Sequence, residues 1–163
     1  MGFLDTVGLV GSREVLMRRR QVIRAGAAAI GAAAWPSQLR AVELSAVEQA
    51  NVKVINDMCA AWVAPLDSAK LGALLANDCV FRASETTPPK TGRATVLEFI
   101  EGIMDDVTHC EFEVADTFAR GSIVAHERWD RFVRPTRESE WHVVGVFYVK
   151  DGLIAEWSDY IIA

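Results

Sequence analysis

Cysteine is scarce and poorly arranged for chemistry. The chain has only Cys59, Cys79 and Cys110. An odd count with no Cys-x-x-Cys spacing supports neither a zinc site nor a full disulfide framework, so free, buried thiols are expected. No apolar stretch is long enough to span a membrane. No repeat or low-complexity tract follows the first forty residues. Basic residues are few beyond that point. The chain has 17 Lys and Arg against 22 Asp and Glu, and residues 1–41 alone hold six Arg and two acids. Subtracting these leaves 11 basic and 20 acidic residues, a formal charge near −9 for the remainder. Such a surface argues against nucleic acid and anionic membranes as partners.

The front of the chain has a character of its own. Arg19-Arg20-Gln21-Val22-Ile23-Arg24 is followed by an Ala/Gly run that reaches Trp35. A charged segment ahead of a short, weakly apolar one resembles a twin-arginine export signal. The run has no polar face, which sets it apart from an amphipathic helix. Residues 1–41 are therefore read as an export signal, with Met17 a possible start and cleavage after Ala34 or Ala41. The expected destination is the periplasm or another exported location. Residues 42–163 are expected to form a single domain, long enough for a core.

Within that domain, residues 45–64 read as an amphipathic helix with Ser45 and Glu48 as a capping box. Val47, Val54, Ile55, Met58 and Trp62 form its apolar stripe, and Pro65 ends it. Asp67 caps a short helix over Ser68–Leu75. Cys79–Phe81 is a short strand, residues 84–92 a proline-containing loop, and Ala94–Met104 a third helix. Four strands follow, at about 109–118, 122–133, 140–149 and 153–161. Helices grouped ahead of an antiparallel meander give an α+β fold, with a curved sheet wrapped around about three helices as a cone with an apolar pocket.

The chemistry is concentrated in two of these strands. Side chains alternate along a strand, so His126, Arg128, Asp130 and Phe132 share one face. Trp157, Asp159 and Ile161 share a face of the last strand. An Arg and an Asp on an inward face are costly unless the guanidinium is shared between carboxylates. An Asp130–Arg128–Asp159 cluster supplies two carboxylates that can titrate apart, as acid–base catalysis requires. A structural ion-pair network is the alternative, though buried networks stabilise poorly compared with apolar packing.

Glu127-Arg-Trp-Asp130, Gly145-Val-Phe147 and Asp151-Gly-Leu-Ile-Ala-Glu-Trp-Ser-Asp-Tyr160, in this order and spacing, resemble the limonene-1,2-epoxide hydrolase family. That family lies within the nuclear-transport-factor-like cone fold, which also holds ketosteroid isomerases and polyketide cyclases. The likeness runs over about residues 46–161, with Asp78, Pro88-Pro89 and Gly92-Arg93 as further matches upstream. The resemblance implies Asp159 as the base that activates water, Asp130 as the acid that protonates the epoxide oxygen, and Arg128 as the bridge between them. It implies one-step addition of water to an apolar epoxide, with no cofactor and no metal. Ile103, Val107, Phe132, Trp141 and Val143 are expected to line the pocket with Trp157 and Ile161.

The pattern is altered where the family holds its water with Tyr and Asn. Those positions fall on Phe81 and on Ala83 or Ser84. His109 and His126 are expected to face the pocket as additional polar groups. The same carboxylates would also serve an isomerase, dehydratase or cyclase, and the cone could be a non-catalytic binder of small apolar molecules. Trp129, Val133, Val144, Val146 and Tyr148 fall on the outer sheet face, which points to a homodimer.

Overall fold

The computed structural model describes residues 43–162. The arginine pair and the expected cleavage positions lie outside the described residues. Helix α1 (Ala46–Ala61) begins as the capping box predicts: the Ser45 hydroxyl accepts from the Glu48 amide, and the Glu48 carboxylate accepts from the Ser45 amide. The other Glu48 oxygen accepts from the Gly121 amide at 2.9 Å, while Asn51 donates to the Gly121 carbonyl at 2.9 Å. Gly121 sits in the turn between two later strands with φ 58°, a conformation that favours glycine. The cap therefore also ties the helix to the sheet. The Gly121 and Ser45 backbone hydrogen bonds hold the Glu48 carboxyl down at about 2.

The buried stripe of α1 is Glu48, Asn51, Ile55, Met58 and Ala61, continued by Trp62. Val47 is 63% exposed, because the first turn gives its inward positions to the polar pair that grips Gly121. The helix also stops at Ala61, before Pro65, with the Trp62 amide turning back to the Cys59 carbonyl.

Asp67 caps helix α2 (Ser68–Leu74), and the chain passes directly into strand β1 (Leu75–Arg82), longer than the Cys79–Phe81 segment expected. A two-residue strand β2 (Lys90–Thr91) interrupts the proline-containing loop ahead of α3 (Arg93–Met104). The meander is β3 (His109–Arg120), β4 (Ile123–Arg134), β5 (Arg137–Lys150) and β6 (Leu153–Ile161). Asp151 and Gly152, both with positive φ, make the tight β5–β6 turn.

Among the described residues the expected α+β architecture is present: three helices and one six-stranded sheet in the order β2-β1-β6-β5-β4-β3. The β1–β6 pair is parallel and the other pairs are antiparallel. Buried residues alternate along β4 and β5, so one sheet face carries the core and the other faces outward. Registered pairs across the inward face form rows. Phe112, Asp130 and Trp141 make one; Val114, Arg128, Val143 and Ile161 the next; Thr117, His126, Gly145 and Asp159 the third; Ala119, Val124, Phe147, Trp157 and Phe81 the fourth.

Candidate active site

Asp130, Arg128 and Asp159 converge. Asp130 and Arg128 are two apart on β4 and so share a face; Asp159 enters from β6, two strands away in the neighbouring row. Arg128 Nε donates to Asp130 Oδ1 at 2.8 Å, and Nη2 donates to Asp159 Oδ2 at 2.9 Å. Trp157 Nε1 donates to Asp159 Oδ1 at 2.8 Å, so both oxygens of that carboxylate are held. The guanidinium carbon lies 5.2 Å from the centre of the Phe112 ring, which covers the positive charge on one side. Arg128 itself is completely buried.

To reach Asp159, the Arg128 side chain crosses β5 at Gly145. A Cβ at that residue would collide with Arg128 Nη1 and lie 2.9 Å from Asp159 Oδ1. This is the close approach that a glycine inside a strand marks. Gly145 is thus as much a part of the site as the charged residues.

Two carboxylates against one guanidinium leave a formal excess of one negative charge in a buried place. Burial raises the Asp130 carboxyl to about 6 despite the opposing pull of Arg128. Burial also raises Asp159, opposed by Arg128 and the Trp157 hydrogen bond. Such a pair titrates as a unit and can hold one proton near neutral pH. The arrangement can therefore present an acid and a base at once.

Around this triad are groups that the sequence pattern does not single out. Trp62 stacks on Phe112 at 5.1 Å and meets Phe132 and Trp157 edge-on at 6.2 and 6.0 Å. Its helical spacing marks it only as core. The Cys59 sulfur lies 3.8 Å from His126 Nδ1. Burial pushes the thiol up to about 12 and the imidazole down to about 4, so both are neutral and no thiolate nucleophile forms. A groove of about 430 Å³, lined by Asn56, Cys59, Trp62, Cys110 and Phe112 among others, runs between α1 and β3 beside these residues. Among the described residues no cluster of His, Cys, Asp and Glu could hold a metal ion.

The remaining expected site residues divide. His126 is fully buried on the Arg128 face. Phe132, Val143 and Trp157 are buried, and Ile103, Val107 and Trp141 are half-buried around the core. Phe81 packs against Trp157 at 4.1 Å and Phe99 at 6.0 Å, as part of an aromatic core. The Ser84 hydroxyl is 2.6 Å from that of Thr87 within its own loop. Neither makes a hydrogen bond to the triad. One expectation fails. His109 is exposed, because Cys110 and Phe112 take the inward positions of β3 and His109 pairs with outward Val133. Ile161 has the expected face, registered against buried Val143, and is 36% exposed.

Gly145→Ala should displace the guanidinium from Asp159. Overpacking of this kind costs about 1–3 kcal/mol. The expected result is a lower melting temperature together with loss of any activity that needs the triad; an unchanged melting temperature would show that Arg128 does not lie over residue 145.

The family model of the SnoaL-like domain matches residues 55–157. No curated protein matches. Among solved structures, a LEH-like epoxide hydrolase from M. tuberculosis is 23% identical over 71% of this chain and 84% of that one, with a TM-score of 0.64. A Jannaschia sp. CCS1 protein assigned to the SnoaL-like polyketide cyclases is 13% identical over 73% of this chain and 90% of that one, with a TM-score of 0.66. A Shewanella putrefaciens protein with the same assignment is 18% identical over 73% and 91%, with a TM-score of 0.61. At these identities the structural likenesses establish the cone fold. The family match covers more than half of the chain, which therefore belongs to the SnoaL-like domain family.

Proposed function

We propose that the protein is a cofactor-independent epoxide hydrolase that adds water in one step to an apolar epoxide. The observation that carries this reading is the single buried guanidinium shared by two carboxylates, one of them raised to about 6. Asp159 removes a proton from water as the water oxygen attacks a ring carbon. The carbon–oxygen bond of the epoxide breaks, and Asp130 gives its proton to the departing oxygen. Arg128 keeps the two carboxyl groups in opposite protonation states by stabilising whichever is ionised. Exchange with solvent returns both to their starting states.

A second reading draws on Phe81 and Ser84. Phe81 is packed into an aromatic cluster and the Ser84 hydroxyl meets that of Thr87, and neither makes a hydrogen bond to the triad. That favours a proton shuttle in an isomerase or cyclase, where no positioned water is needed. Formation of diol from styrene oxide or limonene oxide in ¹⁸O-water separates the two. The hydrolase gives labelled diol, and Asp159→Asn lowers its rate by at least ~10³-fold, since the amide can take no proton. Unlabelled product, or full activity in the Asn variant, contradicts the base assignment.

The assembly proposed is a homodimer through the outer sheet face. Trp129, Val144 and Val146 are half-buried there, while Phe118, Tyr148 and Tyr160 are 62%, 38% and 43% exposed. Exposed aromatic and aliphatic side chains on one sheet face favour covering by a second copy. Light scattering at micromolar concentration should give twice the monomer mass, and Phe118→Lys should halve it; a wild-type monomer rules the dimer out. Export through the Arg19-Arg20 segment is proposed with it. That segment predicts an exported, folded protein.

A further inference from the structure

The triad is closed in. Arg128 is fully buried, and Asp130 and Asp159 are 6% and 7% exposed. A substrate can meet these carboxylates only if part of the surrounding wall gives way. A neighbouring open space is the groove of about 430 Å³ between α1 and β3, within the range of about 300–1,000 Å³ usual for small-molecule sites. Cys59, Trp62, Cys110 and Phe112, all buried or half-buried, form its floor, while Ala60 on α1 and Val114 on β3 are exposed at its rim.

Phe112 is common to the groove and the triad. It lines the groove, and its ring centre lies 5.2 Å from the Arg128 guanidinium carbon. It is also directly opposite Asp130 in the β3–β4 register, where side chains on one face are neighbours. The charge of Asp130 acts on both thiols of the floor, Cys59 and Cys110, so the carboxylate stands close behind it.

This part of the wall is also the least tied down. Phe112 stands on β3, which among the described residues is the edge of the sheet and is paired on one side only. The ring stacked on it at 5.1 Å is Trp62, the C-cap residue of α1, where the backbone leaves helical geometry. Trp62 Nε1 is buried without a hydrogen-bond partner among the described residues. Buried donors are normally paired. The indole is thus packed against other rings with no hydrogen bond to pin it, and displacement toward the groove gives its N–H access to an acceptor.

We infer that this groove admits and holds the uncharged, apolar body of the substrate, and that Phe112 with Trp62 is the wall that gives way to bring the reacting group to Asp130. The inference rests on the hydrolase reading. The floor carries no charged side chain, so it offers an ionised substrate no partner. An epoxide passes its two thiols intact, because burial pushes both up to about 12 and a neutral thiol is a poor nucleophile.

The test reads binding and turnover separately. In Asp159→Asn protein, which binds without converting, styrene oxide should shift the indole ¹⁵N–¹H resonance of Trp62, assigned with Trp62→Phe, in a saturable way. Ala60→Phe and Val114→Phe fill the groove from its two rims, at exposed positions away from the triad. In protein with Asp159 intact, each should lower kcat/KM for styrene oxide by about tenfold or more while kcat stays within about threefold, the pattern of lost binding rather than lost chemistry. The pair keeps the comparison valid if one variant does not fold. A Trp62 resonance unmoved by saturating styrene oxide, or wild-type kcat/KM in both filled variants, in a protein that makes labelled diol overturns the groove and leaves the hydrolase standing. A saturable Trp62 shift in a protein that makes no diol overturns the hydrolase reading instead, and leaves the groove as a site for apolar ligands.

Discussion

The arrangement around Arg128 depends on one constraint: a fully buried guanidinium must be neutralised within its own surroundings. Removing a cation from water costs several kcal/mol, and a single ion pair seldom repays that. Here two carboxylates share the cation, and their combined charge exceeds it by one. Burial raises both carboxyl groups against the pull of the guanidinium, so the feature that makes the cluster a poor stabiliser makes it a good acid–base device. Breaking it by removing one partner would be costly, which keeps the three residues in register.

Other parts of the fold can be read as answers to this constraint. Glycine at 145 lets the guanidinium lie across β5. Trp157 supplies the hydrogen bond that fixes the second oxygen of Asp159. Phe112 closes the face of the cation, and Trp62 packs on Phe112. Helix α1 brings Trp62 and Cys59 to the sheet, and its own position is set by Glu48 and Asn51 gripping the Gly121 turn. The chain of dependence runs from a helix cap to a turn, and from the helix's last turn to the triad.

Much of this was legible in the sequence, and the failures have physical causes. Alternation along β4 placed Arg128 and Asp130 on one face, and the buried pattern of that strand agrees. Ser45 with Glu48 and Asp151 with Gly152 announce their cap and turn through local chemistry that tertiary context did not override. The parity of β3 could not be read in the same way. The strand has a bulge between Val114 and Asp116, so Val114 faces in with Arg128 while Asp116 pairs with outward Glu127. His109 lies ahead of the bulge, where Cys110, Phe112 and Val114 alternate inward against Glu111 and Glu113, and so belongs with the polar outer face. Ile161 shows another limit: alternation gives the face but not the depth, and the residue is 36% exposed. Trp62 and Phe81 illustrate a third limit, since periodicity marks an aromatic as buried without naming the ring it will touch. Gly145 was legible only as part of a motif, because the reason for a glycine lies on the neighbouring strand.

The central claim is that one guanidinium holds two buried carboxylates in different protonation states, and titration of the carboxyl groups tests it most directly. ¹³C NMR of aspartate-labelled protein, with Asp130→Asn and Asp159→Asn used for assignment, would follow both groups from pH 3 to pH 9. The account predicts that Asp130 titrates near 6, about two units above an ordinary aspartate, and that substituting either residue shifts the titration of the other. Two independent carboxyls that both ionise below pH 4 would contradict it.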